Sequence, residues 1–183
     1  ATKLRKVAVR CVNVGIGREK VTDKHWIYYH QDTIFHRIFV QSNTSPYCQP
    51  PGTSSLTAEI TYSPYKQLPE AGLNERVLAD CKKVGLLRDD DEILCLNQVD
   101  IPYAYVVQDH ARPGAVETIR TWLESHDIYL CGRYAEWEYY NSDNAIATGR
   151  RVALRLNDLP AARTPAVPME LLADQATAAA GDD

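Results

Sequence analysis

A short apolar run, Ile128-Tyr129-Leu130-Cys131, leads into Gly132, and a helical pattern opens soon afterwards at Ser142-Asp143-Asn144. This succession constrains the chain more than any other feature. β-Branched and aromatic residues favour a strand, and glycine lets the backbone turn or lie close to a ligand. Ser142, Asp143 or Asn144 can cap the helix, and Ile146, Gly149, Ala153 and Leu156 recur at helical spacing along one face. A helix start behind a strand exit gathers free N–H groups and the positive end of the helix dipole at one point, so the segment predicts an anion site. Arg133 adds a permanent, fork-shaped donor. The plainer alternatives are that Arg133 pairs with Glu136 or Glu138 at the surface, and that Tyr139 and Tyr140 pack internally.

Upstream, the pattern changes to strand periodicity. Lys3 to Gly15 alternates as one long strand, and three more strands are predicted over His25 to Tyr29, Ile34 to Gln41 and Ser55 to Tyr62. Turn-rich stretches such as Asn43-Thr44-Ser45-Pro46 and Gln49-Pro50-Pro51-Gly52 separate them, so the expected arrangement is an antiparallel meander. A helix follows from about Asn74 to Val84, with Asn74 as its cap and Val77, Leu78, Cys81 and Val84 facing inward. Arg88 to Glu92 reads as a solvated turn rather than a metal site. A strand from Ile93 to Val99 runs into Ile101-Pro102-Tyr103-Ala104-Tyr105, and a helix spans roughly Pro113 to His126 with Val116, Ile119, Trp122 and Leu123 on one face. Tyr103 and Tyr105 alternate and are expected on the same side. After Asp158, alanine, proline and acidic residues predict a mostly disordered tail over 158–183, with a short helix near Met169 to Thr177.

Composition narrows the function classes. A net charge of −4 gives no basic footprint for nucleic acid, and no segment has the length and apolarity of a membrane span. Cysteines at 11, 48, 81, 95 and 131 are odd in number and lack close pairs, which predicts neither a disulfide framework nor a zinc site; reduced cysteines in a cytoplasmic protein are expected. His25, His30 and His36 show no visible register with a nucleophile or base. Arg37 has two readings, a surface arginine or a cation on a sheet face that holds a carboxylate or phosphate.

The residues Gly132 to Ile146, followed by Gly149-Arg150-Arg151-Val152-Ala153, resemble the C-terminal flavin-binding segment of the superfamily of amine oxidase-like and protoporphyrinogen oxidase-like flavoproteins that includes UDP-galactopyranose mutase. The resemblance implies FAD as cofactor, contacted by Gly132, Arg133, Asp143, Asn144, Ala145 and Ile146. It also implies a small-molecule substrate approached by Tyr105, with Tyr103 as the alternative, and by Tyr139 in preference to Tyr140; Arg37, from its place on the sheet, is the further substrate-binding candidate. The mutase pattern has aspartate where this chain has Asn141. The glycine-rich turn that opens the dinucleotide-binding unit of such proteins is missing, since Gly15 and Gly17 in Val14-Gly15-Ile16-Gly17-Arg18 do not supply it.

The expectation is therefore an α+β chain. An antiparallel substrate-domain sheet with a helix occupies 1–100, and the terminal strand-helix element of a Rossmann-type flavin domain occupies 101–157. Such a chain is a C-terminal fragment whose partner is the missing N-terminal FAD-binding region. Joined to it, the whole is expected to be an FAD-dependent oxidoreductase of unknown substrate, or alternatively a mutase-like isomerase. A third reading is a non-catalytic remnant or accessory subunit.

Overall fold

The computed structural model describes residues 2–30 and 32–158; the expected tail helix near Met169 lies outside the described residues. The chain divides into two compact units, Thr2–Asp109 and the residues from His110 onward.

The first unit is built on a fully antiparallel five-stranded sheet. In chain order its strands are β1 (Lys6–Ile16), β2 (Trp26–Tyr28), β3 (Arg37–Phe39), β4 (Ser54–Tyr62) and β5 (Ile93–Val106), and helix α1 (Leu73–Lys83) lies between β4 and β5 in sequence. The spatial order is β2-β3-β4-β1-β5. The meander expectation therefore holds from β2 to β4 and fails at β1, which pairs with β4 and β5 rather than β2. Two long neighbours can saturate the amides of an eleven-residue strand, whereas β2 has three residues.

One face of the sheet carries Val12, Val14, Ile16, Ile38, Leu56, Ala58 and Ile60, which form a single buried cluster with Leu73, Val77 and Cys81 of α1. Each fully buried Val, Leu or Ile contributes about 1.5–3 kcal/mol relative to exposure. Helix α1 begins one residue earlier than expected, with Gly72 at φ 73° as its N-cap; Asn74 instead accepts a hydrogen bond from Gln98 at 2.8 Å. Burial pushes the Cys81 thiol up to about 12. All five cysteines are free thiols.

The turn before β5 is not simply solvated. Asp91 is nearly buried and accepts two hydrogen bonds from the Arg18 guanidinium at 2.7 and 2.8 Å, and one from the Arg88 backbone N–H at 2.8 Å. This fork ties the end of β1 to the start of β5.

In the second unit, α2 (Arg112–Glu124) and α3 (Ser142–Asn157) are joined by an irregular segment. Helix α2 buries Val116 and half-buries Ile119 and Leu123 as expected, but Trp122 is 61% exposed and lies against His126 with the two rings tilted and their centroids 4.4 Å apart. Ile128–Cys131 forms no strand among the described residues. Its β-branched and aromatic composition suits a strand, but a strand needs a ladder partner, and none is supplied among the described residues. On α3 the inward positions are Ala145, Thr148, Gly149 and Val152, a regular helical stripe. Of the expected face only Gly149 lies on it, while Ile146, Ala153 and Leu156 are exposed.

The Arg18 fork holds the Asp91 carboxyl down to about 2, below an unfolded aspartate near 3.9. Stability from this pair is thus complete above about pH 4 and is lost as pH falls through 2. Asp91→Asn is expected to cost on the order of 1–3 kcal/mol at pH 7 in urea denaturation and to flatten the acid limb of the stability profile.

Candidate functional site

The second sheet face is polar, and the register explains why. Tyr28, Arg37, Glu59, Cys11 and Val99 are successive partners in one row across all five strands, so their side chains emerge on the same side. The next row joins Thr57, Asn13 and Asn97. Thr57 donates to Asn13 at 2.5 Å and Asn13 donates to Asn97 at 2.8 Å, while Gln41 donates to Thr57.

Glu59 is the hub of this face. Its carboxylate accepts from Arg37 Nε at 3.0 Å and from a terminal Arg37 nitrogen at 2.6 Å to each oxygen. The Tyr105 hydroxyl closes the triangle, accepting from Arg37 at 3.0 Å and donating to Glu59 at 3.1 Å. Arg37 also lies 4.6 Å from the Trp26 ring centroid, and Trp26 stacks on Phe39 at 4.1 Å. Burial opposes the Arg37 charge, but hydrogen bonds to Glu59 and Tyr28 outweigh it and raise its pKa. His36 Nε2 stands 4.0 Å from Glu59, yet burial lowers its pKa, so the ring is neutral at pH 7.

Arg37 is therefore not a surface arginine: its side chain is 19% exposed and held by a carboxylate, an aromatic ring and a phenol. Tyr103 and Tyr105 do not share surroundings. The β1–β5 register shifts between Val7 and Val9, which pair with Tyr105 and Ile101, so three residues of β5, Pro102 to Ala104, stand opposite Ala8 alone. Pro102 lies in this interval and cannot donate to the ladder. Tyr103 is 56% exposed with the Lys6 ammonium 3.4 Å from its ring centroid, while Tyr105 reaches Arg37. Sequence reading missed Glu59, because a lone acid inside a strand reveals its arginine partner only once the register is known.

In the second unit, Gly132 adopts φ 85° and a Cβ built there would meet nothing within 4 Å. Its N–H donates to the Thr148 hydroxyl at 3.0 Å, and that hydroxyl donates to the Ala145 carbonyl at 2.9 Å, pinning the turn to α3. The turn continues through backbone bonds from Glu136 to Gly132 at 3.0 Å and from Glu138 to Arg133 at 2.9 Å. Glu136 takes a 2.6 Å ion pair from Arg151, and Glu138 pairs with Arg112. Arg133 donates to the Tyr140 carbonyl at 3.1 Å and lies 4.6 Å from the Tyr139 ring centroid. The cap of α3 is Asn141, one residue before the expected candidates, and its side chain makes no capping hydrogen bond. Asn141 to Asn144 are exposed, Ala145 is half-buried and Ile146 is 73% exposed. Asp143 sits in the first turn, where its charge complements the helix dipole. No group of three or more His, Cys, Asp or Glu side chains able to hold a metal is present among the described residues.

No protein-family model matches the chain. The fold does match solved structures. A crystal structure of reduced UDP-galactopyranose mutase superposes with a TM-score of 0.76 at 26% identity, covering 84% of this chain and 35% of that one. A protoporphyrinogen oxidase-like protein from Exiguobacterium sp. 255-15 superposes with a TM-score of 0.61 at 10% identity, covering 85% and 35%. This chain shares its fold with both. The second likeness is one of fold alone. The chain spans about a third of the length of each of these neighbours.

Removing one arm of the Arg37 triangle separates its contributions. Glu59→Gln is expected to cost about 2–3 kcal/mol by leaving the guanidinium without its counter-ion, and Tyr105→Phe about 1 kcal/mol, both read by chemical denaturation. Gly132→Ala is expected to cost on the order of 1 kcal/mol from its left-handed backbone alone, since no steric clash adds to it.

Proposed function

We propose that this chain supplies the substrate-facing sheet and the flavin-contacting turn of an FAD-dependent enzyme. The observation that carries the reading is the open sheet face on which Arg37, Glu59 and Tyr105 lock together beside Trp26 and Tyr28. It is a fixed polar and phenolic surface in which Glu59 balances the Arg37 charge, suited to positioning a hydroxylated small molecule by hydrogen bonds rather than to driving a proton transfer.

The residues around Gly132 fit a flavin. The left-handed glycine has open space on its Cβ side, and Arg133 is held against Tyr139 and the Tyr140 carbonyl. The exposed first turn of α3 offers N–H groups that its own cap side chain does not use. Gly132, Arg133 and the α3 start at Asn144, Ala145 and Ile146 would hold the cofactor, with Asp143 bordering it; Tyr105, Arg37 and Tyr139 would face substrate. Tyr103 is the weaker candidate because its side chain lies beside Lys6. When bound, FAD would supply the redox or nucleophilic chemistry. The chain's own residues would orient substrate through the hydrogen-bonded triangle of Arg37, Glu59 and Tyr105.

The reaction class has two readings. Oxidation of a substrate by the flavin, in the manner of the amine oxidase-like group, is one. The other is a mutase-type isomerisation with Arg37 and Tyr105 binding a nucleotide diphosphate; the higher TM-score and identity to a UDP-galactopyranose mutase favour it, and Asn141 in place of aspartate counts against it.

The natural polypeptide that contains these residues, purified from its source, is expected to carry bound flavin; a colourless protein that takes up no FAD would overturn the proposal. In it, Arg133→Ala should weaken flavin retention by roughly 1.5–3 kcal/mol, the worth of a charged hydrogen bond. Conversion of UDP-galactopyranose only after dithionite reduction supports the mutase reading, and bleaching of the flavin by candidate amines supports the oxidase reading.

A further inference from the structure

The register shift in β5 that parts Tyr103 from Tyr105 also gathers Pro102 and Tyr103 around Lys6, which lines a cavity of about 440 Å³ in the first unit. Ala8, Tyr62, Pro64 and Pro102 supply most of the other walls, so the lining is mainly apolar. Ala8 and Tyr62 are register partners on the same sheet face as the core, past Arg10 and Ile60, where the buried cluster ends. The size is that of a small-molecule site, roughly 300–1,000 Å³. None of these residues belongs to the proposed flavin contacts or to the Arg37 triangle, so the inference does not rest on the flavin reading.

Lys6 is the one charged residue of that lining. Its ammonium donates to the Pro102 carbonyl at 2.5 Å and stands 3.4 Å from the Tyr103 ring centroid. Both neighbours are neutral. Asp100 feels the Lys6 charge, but its oxygens are taken by Arg10 at 3.1 Å and by the Tyr62 hydroxyl at 2.7 and 2.8 Å. An ammonium has three donors, so one carbonyl and one ring leave a donor, and a charge without a paired carboxylate, for a ligand. Held on two sides, this long side chain has already given up rotamer freedom, and a ligand that meets it does not impose that loss again. On the same lining, the Ser63 hydroxyl accepts from the Tyr65 N–H at 3.2 Å, while its own proton has no acceptor among the described residues. Gln67 spends its amide donors on the Ser63 and Pro64 carbonyls, both at 3.2 Å, and holds that wall in place.

The cavity thus presents one positive charge, one hydroxyl donor and apolar walls, with no acid in the lining to repel an anion. A single charge amid apolar walls matches a monoanion, whereas a phosphate dianion would bring charge and oxygens that these walls leave unmet. An uncharged apolar molecule would gain nothing from the ammonium. We propose that this cavity binds a small monocarboxylate with an apolar body, its carboxylate on the Lys6 ammonium and the Ser63 hydroxyl, and its body against Ala8, Pro64 and Pro102.

Calorimetric titration of the full chain with benzoate, benzamide and acetate tests this. Benzoate is expected to bind saturably at millimolar concentration. Benzamide has the same shape without the charge and should bind about tenfold more weakly, and acetate, which lacks the ring, should not saturate. Amide chemical shifts followed in the benzoate titration should move at Ala8, Tyr62 and Ser63. Lys6→Gln should bring benzoate down to the level of benzamide and leave benzamide unchanged. The proposal is overturned if benzoate shows no saturable binding at millimolar concentration, if benzamide or acetate binds as tightly, if the shifts map elsewhere, or if folded Lys6→Gln binds benzoate as the unaltered chain does. The first three outcomes need no variant, so a substitution that fails to fold leaves the test intact.

Discussion

Strand β1 is the constraint on which the sheet unit depends. It is laddered to β4 from Ala8 to Ile16 and to β5 along most of the same length, so each of its faces is fixed by neighbours on both sides. Its alternation then decides everything around it. Val12, Val14 and Ile16 must enter the core against α1, and Cys11 and Asn13 must face the other way, into the rows that carry Arg37 and Asn97. A one-residue slip would exchange the two sets and bury asparagine where valine packs. The polar face is thus a geometric consequence of how the core closes.

The two units handle charge by the same device. Glu59 fixes Arg37 on the sheet, while Glu136 and Glu138 take Arg151 and Arg112 around the Gly132 turn. In each case a carboxylate with little exposure orients a guanidinium that keeps further donors or an aromatic contact. Such pairs contribute modestly to net stability, because desolvation offsets much of the attraction, but they restrict the rotamers of long side chains. Orientation is what a recognition surface requires.

Much of the architecture was legible from period alone. The strands of the first unit and all three helices lie close to where alternation and helical spacing placed them, most plainly β1, β4 and α1, whose apolar faces enter the core. The misses came from information that no local window holds. The position of β1 beside β4 is a long-range pairing, and the separation of Tyr103 from Tyr105 follows from a register shift near Pro102. Ile128–Cys131 has the composition of a strand, but composition cannot supply a neighbour. Within the site, Arg37 was visible as a candidate, whereas Glu59 was not, since one acid in a β-rich segment looks like any solvated side chain until its partners across the sheet are known. The resemblance carried by Gly132 to Ile146 anticipated the fold neighbours because that run is local in sequence.

The thiol of Cys81 sits under the sheet with its proton held on by burial. An alkylating reagent meets it only when α1 lifts from the strands, while Cys48, Cys95 and Cys131 stand at the surface. The rate at which this one sulfur is trapped therefore serves as an internal clock for opening of the central core, written into the chain without any added label.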